Sequence, residues 1–517
     1  MAGATLTSRI LGMVREMVYA SFMGNTWVAS AFVMAFQIPN LFRRLLGEGA
    51  LTAAFIPIFK QKEVKDGEAE MWRAANAVIS GLVAAAAVVT VVVVIGISIA
   101  LNMGIGSGET QLMLRLLRLM FPYMLLVCLA AVLIGMANAR GHFFVPALGA
   151  VILNLVMIAS VLFLAPRMGA RLQDQIFGLA IGVVIAGMAQ AFFQLPSLSR
   201  EGYRYQWVRP WNDETVREVV RKMLPGSIGV AAFQINVLLT QVFSFWFDPT
   251  IVSTFNYSVR LMELPQGMFG ISLATYLLPT LSGLAAAKKF PEFRQTLSQG
   301  LNYLAFGNLL AASVALSLSV PIVRLIFEHG KFGPEATSRT ALALACLAPG
   351  LLMFSMNNIL ARAFYALNDI KTPMKISLFC LCVNLAFAFF LVKYLADAGV
   401  RGEAGLASAN TISACFNVLL LAYSLRRKLS RLGMKSVVNT LLVLVPDAVL
   451  AGLVAAALSW AWERHVGHAG TARRIGAVFV PGGIASLVYW LIALWLKVPA
   501  ASEVTALFTR RFQRLKG

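Results

Sequence analysis

Runs of apolar residues long enough to cross a bilayer recur from one end of this chain to the other. Crossing about 30 Å of hydrocarbon at about 1.5 Å per residue takes about 20 residues. Fourteen segments meet that length: 4–23, 27–60, 74–103, 112–138, 143–166, 175–197, 218–246, 250–286, 298–327, 338–365, 372–396, 404–425, 436–463 and 475–497. The pattern predicts an all-α polytopic membrane protein of about 14 transmembrane helices. The second segment is too long for a simple span and is expected to bend or to project into the cytoplasm. Arg9, Arg15 and Glu16 interrupt the first, which therefore lacks the apolar core of a cleaved leader and is expected to stay as helix 1.

Composition agrees with a membrane chain: of 517 residues, 59% are apolar or aromatic and only 13% charged. A net charge of +21 would suggest nucleic acid on a soluble chain, but here the basic residues collect between apolar runs, as in loops facing anionic lipid. Lys and Arg resist translocation, so their loop distribution sets orientation. With the N-terminus inside, cytoplasmic connections hold 26 of them and the opposite connections 9, so both termini are expected in the cytoplasm. Cys128, Cys346, Cys380, Cys382 and Cys415 all lie in apolar segments and read as inert core thiols.

A weak internal repeat overlays 31–59 on 254–281, pairing Phe32 with Phe255 and Pro57 with Pro279. Further on, Pro122 pairs with Pro349 and Pro146 with Pro373, both 227 residues apart. Six helices per copy is an even number, so both copies insert the same way up, as two lobes about a parallel pseudo-two-fold axis. Transporters built so bind substrate at the interface of the halves. The expected division is an N-terminal lobe (1–200), a C-terminal lobe (201–430), and a C-terminal helix pair with a basic tail (431–517).

The nine basic residues left out of those connections are all arginines inside spans. Five of them, Arg9, Arg15, Arg43, Arg44 and Arg260, would cost more than about 12 kcal/mol if they faced lipid, so a wet cavity or carboxylate partners are expected. Glu16, Glu48 and Glu263 are candidate ion-pair partners; Glu48 follows Arg44 by four residues and Glu263 follows Arg260 by three, spacings that share a helix face. Five cations against three carboxylates leave a surplus of planar guanidinium groups, suited to a phosphate or carboxylate ligand. The plainer reading is structural ion pairing alone. Arg115, Arg118 and Arg324, near outer helix ends, are expected to snorkel. Gly12, Pro39, Gly47, Gly49, Pro265, Gly267 and Gly270 mark bendable segments next to these charges, as alternating access requires. Nothing suggests an enzyme: no phosphate-binding loop, zinc-protease helix or nucleophile elbow occurs. His465 and His468 read as a solvated loop, so no metal site is expected.

The stretches SRILGMVRE (8–16), AFQIPNLFRRLLGEGALTAAFIPIF (35–59), RLMELPQGMFGISLATYLLP (260–279), FEHGKF (327–332) and YALNDIKTPMKI (365–376) resemble the MurJ (MviN) lipid II flippases of the MOP exporter superfamily. The resemblance implies fourteen helices, as two six-helix lobes plus a C-terminal pair. It implies that Arg9, Arg15, Arg43, Arg44, Arg260 and Glu263 serve transport, with the arginines on the lipid II pyrophosphate, and that the last two helices groove the undecaprenyl tail. It further implies the bacterial cytoplasmic (inner) membrane, peptidoglycan biosynthesis and cell shape, with membrane lipids, and other cell-wall synthesis proteins, as candidate partners. Two departures stand out. Many relatives have Asp where this chain has Ser30, and helices 7 and 11 offer neutral Gln234, Asn236 and Asn384 where some members bind sodium with acidic residues. No cofactor is expected, a sodium site is disfavoured, and membrane potential is the expected driving force. The rival readings are an exporter of another lipid-linked oligosaccharide and a non-transporting membrane scaffold of cell-wall synthesis.

Overall fold

The computed structural model describes residues 2–43, 51–397, 401–429, 434–503 and 505–506. Their regular structure is all helical, with no strand among the described residues. Among them, nine helices are long and apolar enough to cross a membrane, or eleven if each of two bent pairs is one span. The other three expected segments hold α1 (Ala2–Met23), which carries Arg9, Arg15 and Glu16; α2 (Trp27–Phe42), which has 16 residues; and α9 (Glu214–Phe247), whose apolar part is Val237–Phe247.

The chain forms two compact units, Met1–Ser253 and Thr254–Gly517. In the first, Thr26 caps α2, its hydroxyl accepting from the Ala29 N–H at 3.2 Å. The long second segment holds α2 at its start. Its latter part opens α3 (Leu51–Asn102), two helical stretches joined by a sharp kink at Gly67 (φ 87°) that brings the Phe59 and Trp72 rings to 5.6 Å. Val88, Val91, Val92, Ile95 and Ile99 on α3 point outward, an arrangement suited to lipid and unfavourable in water. α4 (Gly108–Met120) and α5 (Tyr123–Ala139) meet at Pro122 with a 42° bend. α6 (Phe144–Ala159) continues through a π turn, Ser160–Leu164, and a 3-10 turn, Ala165–Arg167, into the loop before α7 (Leu172–Phe192) and α8 (Leu195–Arg200).

α10 (Ile251–Pro265) crosses the boundary between the units and is followed by a π turn, Gln266–Ile271, and α11 (Ser272–Ala286). The second unit continues with α12 (Phe290–Ser317), α13 (Ser319–Phe327), α14 (Pro334–Leu347), α15 (Gly350–Ala366), α16 (Lys371–Asp397) and α17 (Gly402–Leu429). α18 (Met434–His465) and α19 (Thr471–Trp495) complete it. They share one core with α12: Tyr489 is fully buried and its hydroxyl donates to the Phe306 carbonyl at 3.0 Å. Cys382 is exposed on α16, so this thiol, unlike buried Cys128 and Cys380, is not a core residue.

Each unit carries the same local devices 227 residues apart. Pro122 and Pro349 precede α5 and α15, and α14 and α15 meet at 48°. Pro146 and Pro373 are each the third residue of a helix, α6 and α16. Two glycines extend the pattern. A Cβ on Gly178 would lie 2.7 Å from the Ala165 backbone, and one on Gly405 would lie 2.7 Å from the Leu391 backbone. In both units a helix approaches the end of the preceding one so closely that no side chain fits. Alanine at either glycine should therefore destabilise its own unit by about 1–3 kcal/mol or more, because the obstacle is backbone. Thermal unfolding of the two purified variants would test this, and a parental midpoint for both would rule it out.

Candidate functional site

Helix α1 is uncharged except for Arg9, Arg15 and Glu16, and it packs on α6. Arg15 is anchored there: its Nη1 donates to Asn154 Oδ1 of α6 at 3.1 Å and its Nη2 to Glu16 Oε1 at 2.5 Å. The guanidinium lies 5.5 Å from the Tyr19 ring centroid, a cation–π contact. Asn154 in turn donates from Nδ2 to the Ser8 carbonyl at 3.2 Å, so one α6 amide grips α1 at two levels. Glu16 is 6% exposed. Arg15 Nε is buried with no hydrogen-bond partner, a donor left over after the carboxylate and amide are served. α1 runs unbroken through Gly12, where a Cβ would make only ordinary contact with Asn154.

Arg9, two turns earlier, is exposed and makes no ion pair with the described residues. Arg43 caps the end of α2, with Nε donating to Asn40 Oδ1 at 2.6 Å, one turn after buried Pro39. Arg44, Gly47, Glu48 and Gly49 lie outside the described residues. The described contacts bring Arg15 and Glu16 together.

In the second unit, Arg260 Nη1 donates to Glu263 Oε2 at 2.8 Å, the i,i+3 pair expected from spacing, with both side chains partly exposed. Pro265 ends α10, and Gly267 and Gly270 sit buried in the π turn that follows, a geometry common at functional sites. A Cβ on Gly270 would meet Ser355 Oγ of α15 at 2.7 Å, so this turn is closely packed. Arg362 Nη1 donates to Thr275 Oγ1 at 2.7 Å, tying α15 to α11.

Several charged groups form contacts that sequence spacing does not reveal. Arg339 on α14 forms a two-pronged pair with Glu403, Nε to Oε1 at 2.7 Å and Nη2 to Oε2 at 2.9 Å, and Glu403 is fully buried. Arg324 does not snorkel: it pairs with Glu463, which also bonds His468 Nδ1 at 2.7 Å, and approaches Glu328 of the FEHGKF stretch. Arg474 reaches the same Glu328. Asp447, in the middle of α18, is 3% exposed, and neither carboxylate oxygen has a hydrogen-bond partner. Loops gather charges too. Arg140 donates to Glu63 at 2.5 Å and to Glu201, which the His142 imidazole and the Arg140 guanidinium hold below the usual carboxylate range. Asp369 caps α16 by accepting the Thr372 N–H at 3.0 Å; burial opposes its ionisation, but Lys428 and Thr372 prevail and hold it down to about 2.

A family model described as lipid II flippase MurJ matches residues 19–470. A relative from Haemophilus influenzae, described as a probable lipid II flippase MurJ, is 30% identical over 516 residues, covering 96% of this chain and 96% of its own. A solved structure of lipid II flippase MurJ in an inward closed conformation matches with a TM-score of 0.77 at 21% identity, over 96% of this chain and 98% of that one. An inward-facing multidrug resistance MATE family transporter of the MOP superfamily matches with a TM-score of 0.65 at 15% identity, over 82% and 95%.

Proposed function

Because this chain belongs to the lipid II flippase MurJ family, and is thus a multi-pass membrane transporter and not an enzyme, we propose that it moves lipid II from the cytoplasmic to the outer face of the bacterial inner membrane. The headgroup crosses by alternating access, with both termini in the cytoplasm and no covalent step. Arg9, Arg15, Arg43, Arg44, Arg260 and Glu263 serve the substrate, and the arginines neutralise its pyrophosphate. The observation that carries this reading is the family match over most of the chain. Support at the residue level comes from Arg15, a buried guanidinium with a spare donor, since fork-shaped cations bind paired phosphate oxygens well. α18 and α19 hold the undecaprenyl tail, a role that suits their outward apolar side chains, among them Leu442, Leu453, Phe479, Leu487 and Leu491.

Membrane potential drives the cycle in this proposal. Moving an anion outward across an inside-negative membrane is downhill by roughly 2.3 kcal/mol per charge per 100 mV. Flipping that continues unchanged after the potential is dissipated would count against it.

The decisive experiment is rescue of a bacterium depleted of its own lipid II flippase, using the parent, Arg43→Ala and Arg260→Ala at equal membrane levels. The parent should rescue and each variant should lose most of that capacity. Failure of a well-inserted parent would favour another lipid-linked oligosaccharide. Rescue by both variants would remove these two arginines from the substrate site, and variants lost only through lower protein levels would favour a scaffold.

A further inference from the structure

Asp447 is isolated within its helix and its neighbours. From Ser436 to Trp460 it is the only titratable residue on α18. Its helix is turned so that Leu444, Asp447, Ala448 and Ala451 face inward while Leu442, Val445, Val449 and Leu450 face outward. The helices packed on α18 are α12 and α19. Between Leu304 and Ser317, α12 carries no titratable group. From α19 comes Tyr489, the only titratable residue between Ile475 and Trp495, and its hydroxyl is committed to the Phe306 carbonyl. Lys435, Glu463, Arg464 and His465 lie at the two ends of α18, and Glu463 is already paired with Arg324 and His468.

An ionised carboxylate in such surroundings has neither a cation nor a hydrogen-bond donor to replace water, so the charged form is strongly disfavoured. A metal ion is a poor occupant. Hard cations take six or more oxygen ligands, and one carboxylate supplies two; no group of three or more metal-ligating acidic, His or Cys residues occurs among the described residues. A proton satisfies the site alone, because it neutralises the charge without further ligands.

We propose that Asp447 is a proton-binding site in the C-terminal helix pair, a carboxylic acid held neutral at neutral pH by its packing against α12 and α19. The proton leaves only when α18 parts from these helices and water reaches the carboxyl. Binding and release are thereby coupled to how this pair packs.

Infrared spectroscopy of the full chain in lipid vesicles tests the proposal. At neutral pH the parent should show a protonated-carboxyl C=O band, moved by deuteration, that Asp447→Asn removes and Asp447→Glu shifts. The amide bands in the same spectra report whether each variant keeps the parental helix content, and the glutamate variant carries the test if the asparagine variant does not. Loss of ionised-carboxylate bands in Asp447→Asn, with the C=O region unchanged, would overturn it. So would a glutamate variant whose protonated-carboxyl band coincides with the parent's.

Discussion

Alanine at position 15 should be among the most damaging single changes in the first unit. It removes the guanidinium that neutralises Glu16, which is 6% exposed, and the donor that holds Asn154 on α6. Breaking a buried ion pair by deleting one partner destabilises by about 3–5 kcal/mol, because the remaining charge stays buried. Thermal unfolding of the purified Arg15→Ala protein should show that loss, and cells relying on it should not grow. Stability and function separate in the double variant Arg15→Ala with Glu16→Gln. The amide that replaces the carboxylate carries no charge, so most of the lost stability should return. Transport should not, if the arginine serves the pyrophosphate. A double variant that regains both would leave Arg15 with a structural role only.

The second large effect is expected at Arg339 and Glu403, where nothing links the pair to substrate. Arg339→Met leaves a fully buried carboxylate and should destabilise by about 3–5 kcal/mol. Adding Glu403→Leu removes that charge, and replacing a buried pair by packed apolar groups is often neutral or stabilising. The double variant should therefore unfold near the parental midpoint and still support growth. A single variant indistinguishable from the parent in thermal unfolding would contradict this account.

The helix pattern was legible because lipid imposes a length and a composition on every span, and each of the fourteen expected segments does hold helix. The paired prolines were legible because proline leaves a mark at a bend whatever its neighbours. The apolar run 27–60, the polar stretch after it and the next apolar run were legible as two segments and a connection: α3 breaks at Gly67, inside that polar stretch, and Phe59 and Trp72 on either side of the break bring their rings to 5.6 Å. The pairs Arg260–Glu263 and Arg15–Glu16 could be foreseen from adjacent positions on one helix. Asn154 could not, since it lies 139 residues from Arg15 and looks like any polar residue in a span. Glu403 was hidden because it and Arg339 both stand at the edges of apolar runs, where charges normally meet water. Gly178 and Gly405 leave no signal of their own, since their role is the absence of a side chain; only the 227-residue offset singles them out. Asp447 had a plain signal, one acid in the middle of an apolar run, easily overshadowed by the more numerous cations.

The length of α3 gives the molecule a built-in depth gauge. At about 1.5 Å per residue, the 35 residues of α3 after Gly67 extend past the hydrocarbon thickness of a bilayer. Composition changes along that stretch from Glu68, Glu70 and Arg73 to an uncharged, largely apolar run from Leu82 to Leu101. Spin labels placed on successive outward positions would thus pass from water through headgroups into acyl chains along a single element. Their accessibility profile would register where the membrane begins on this protein, with no assumption about its transport state.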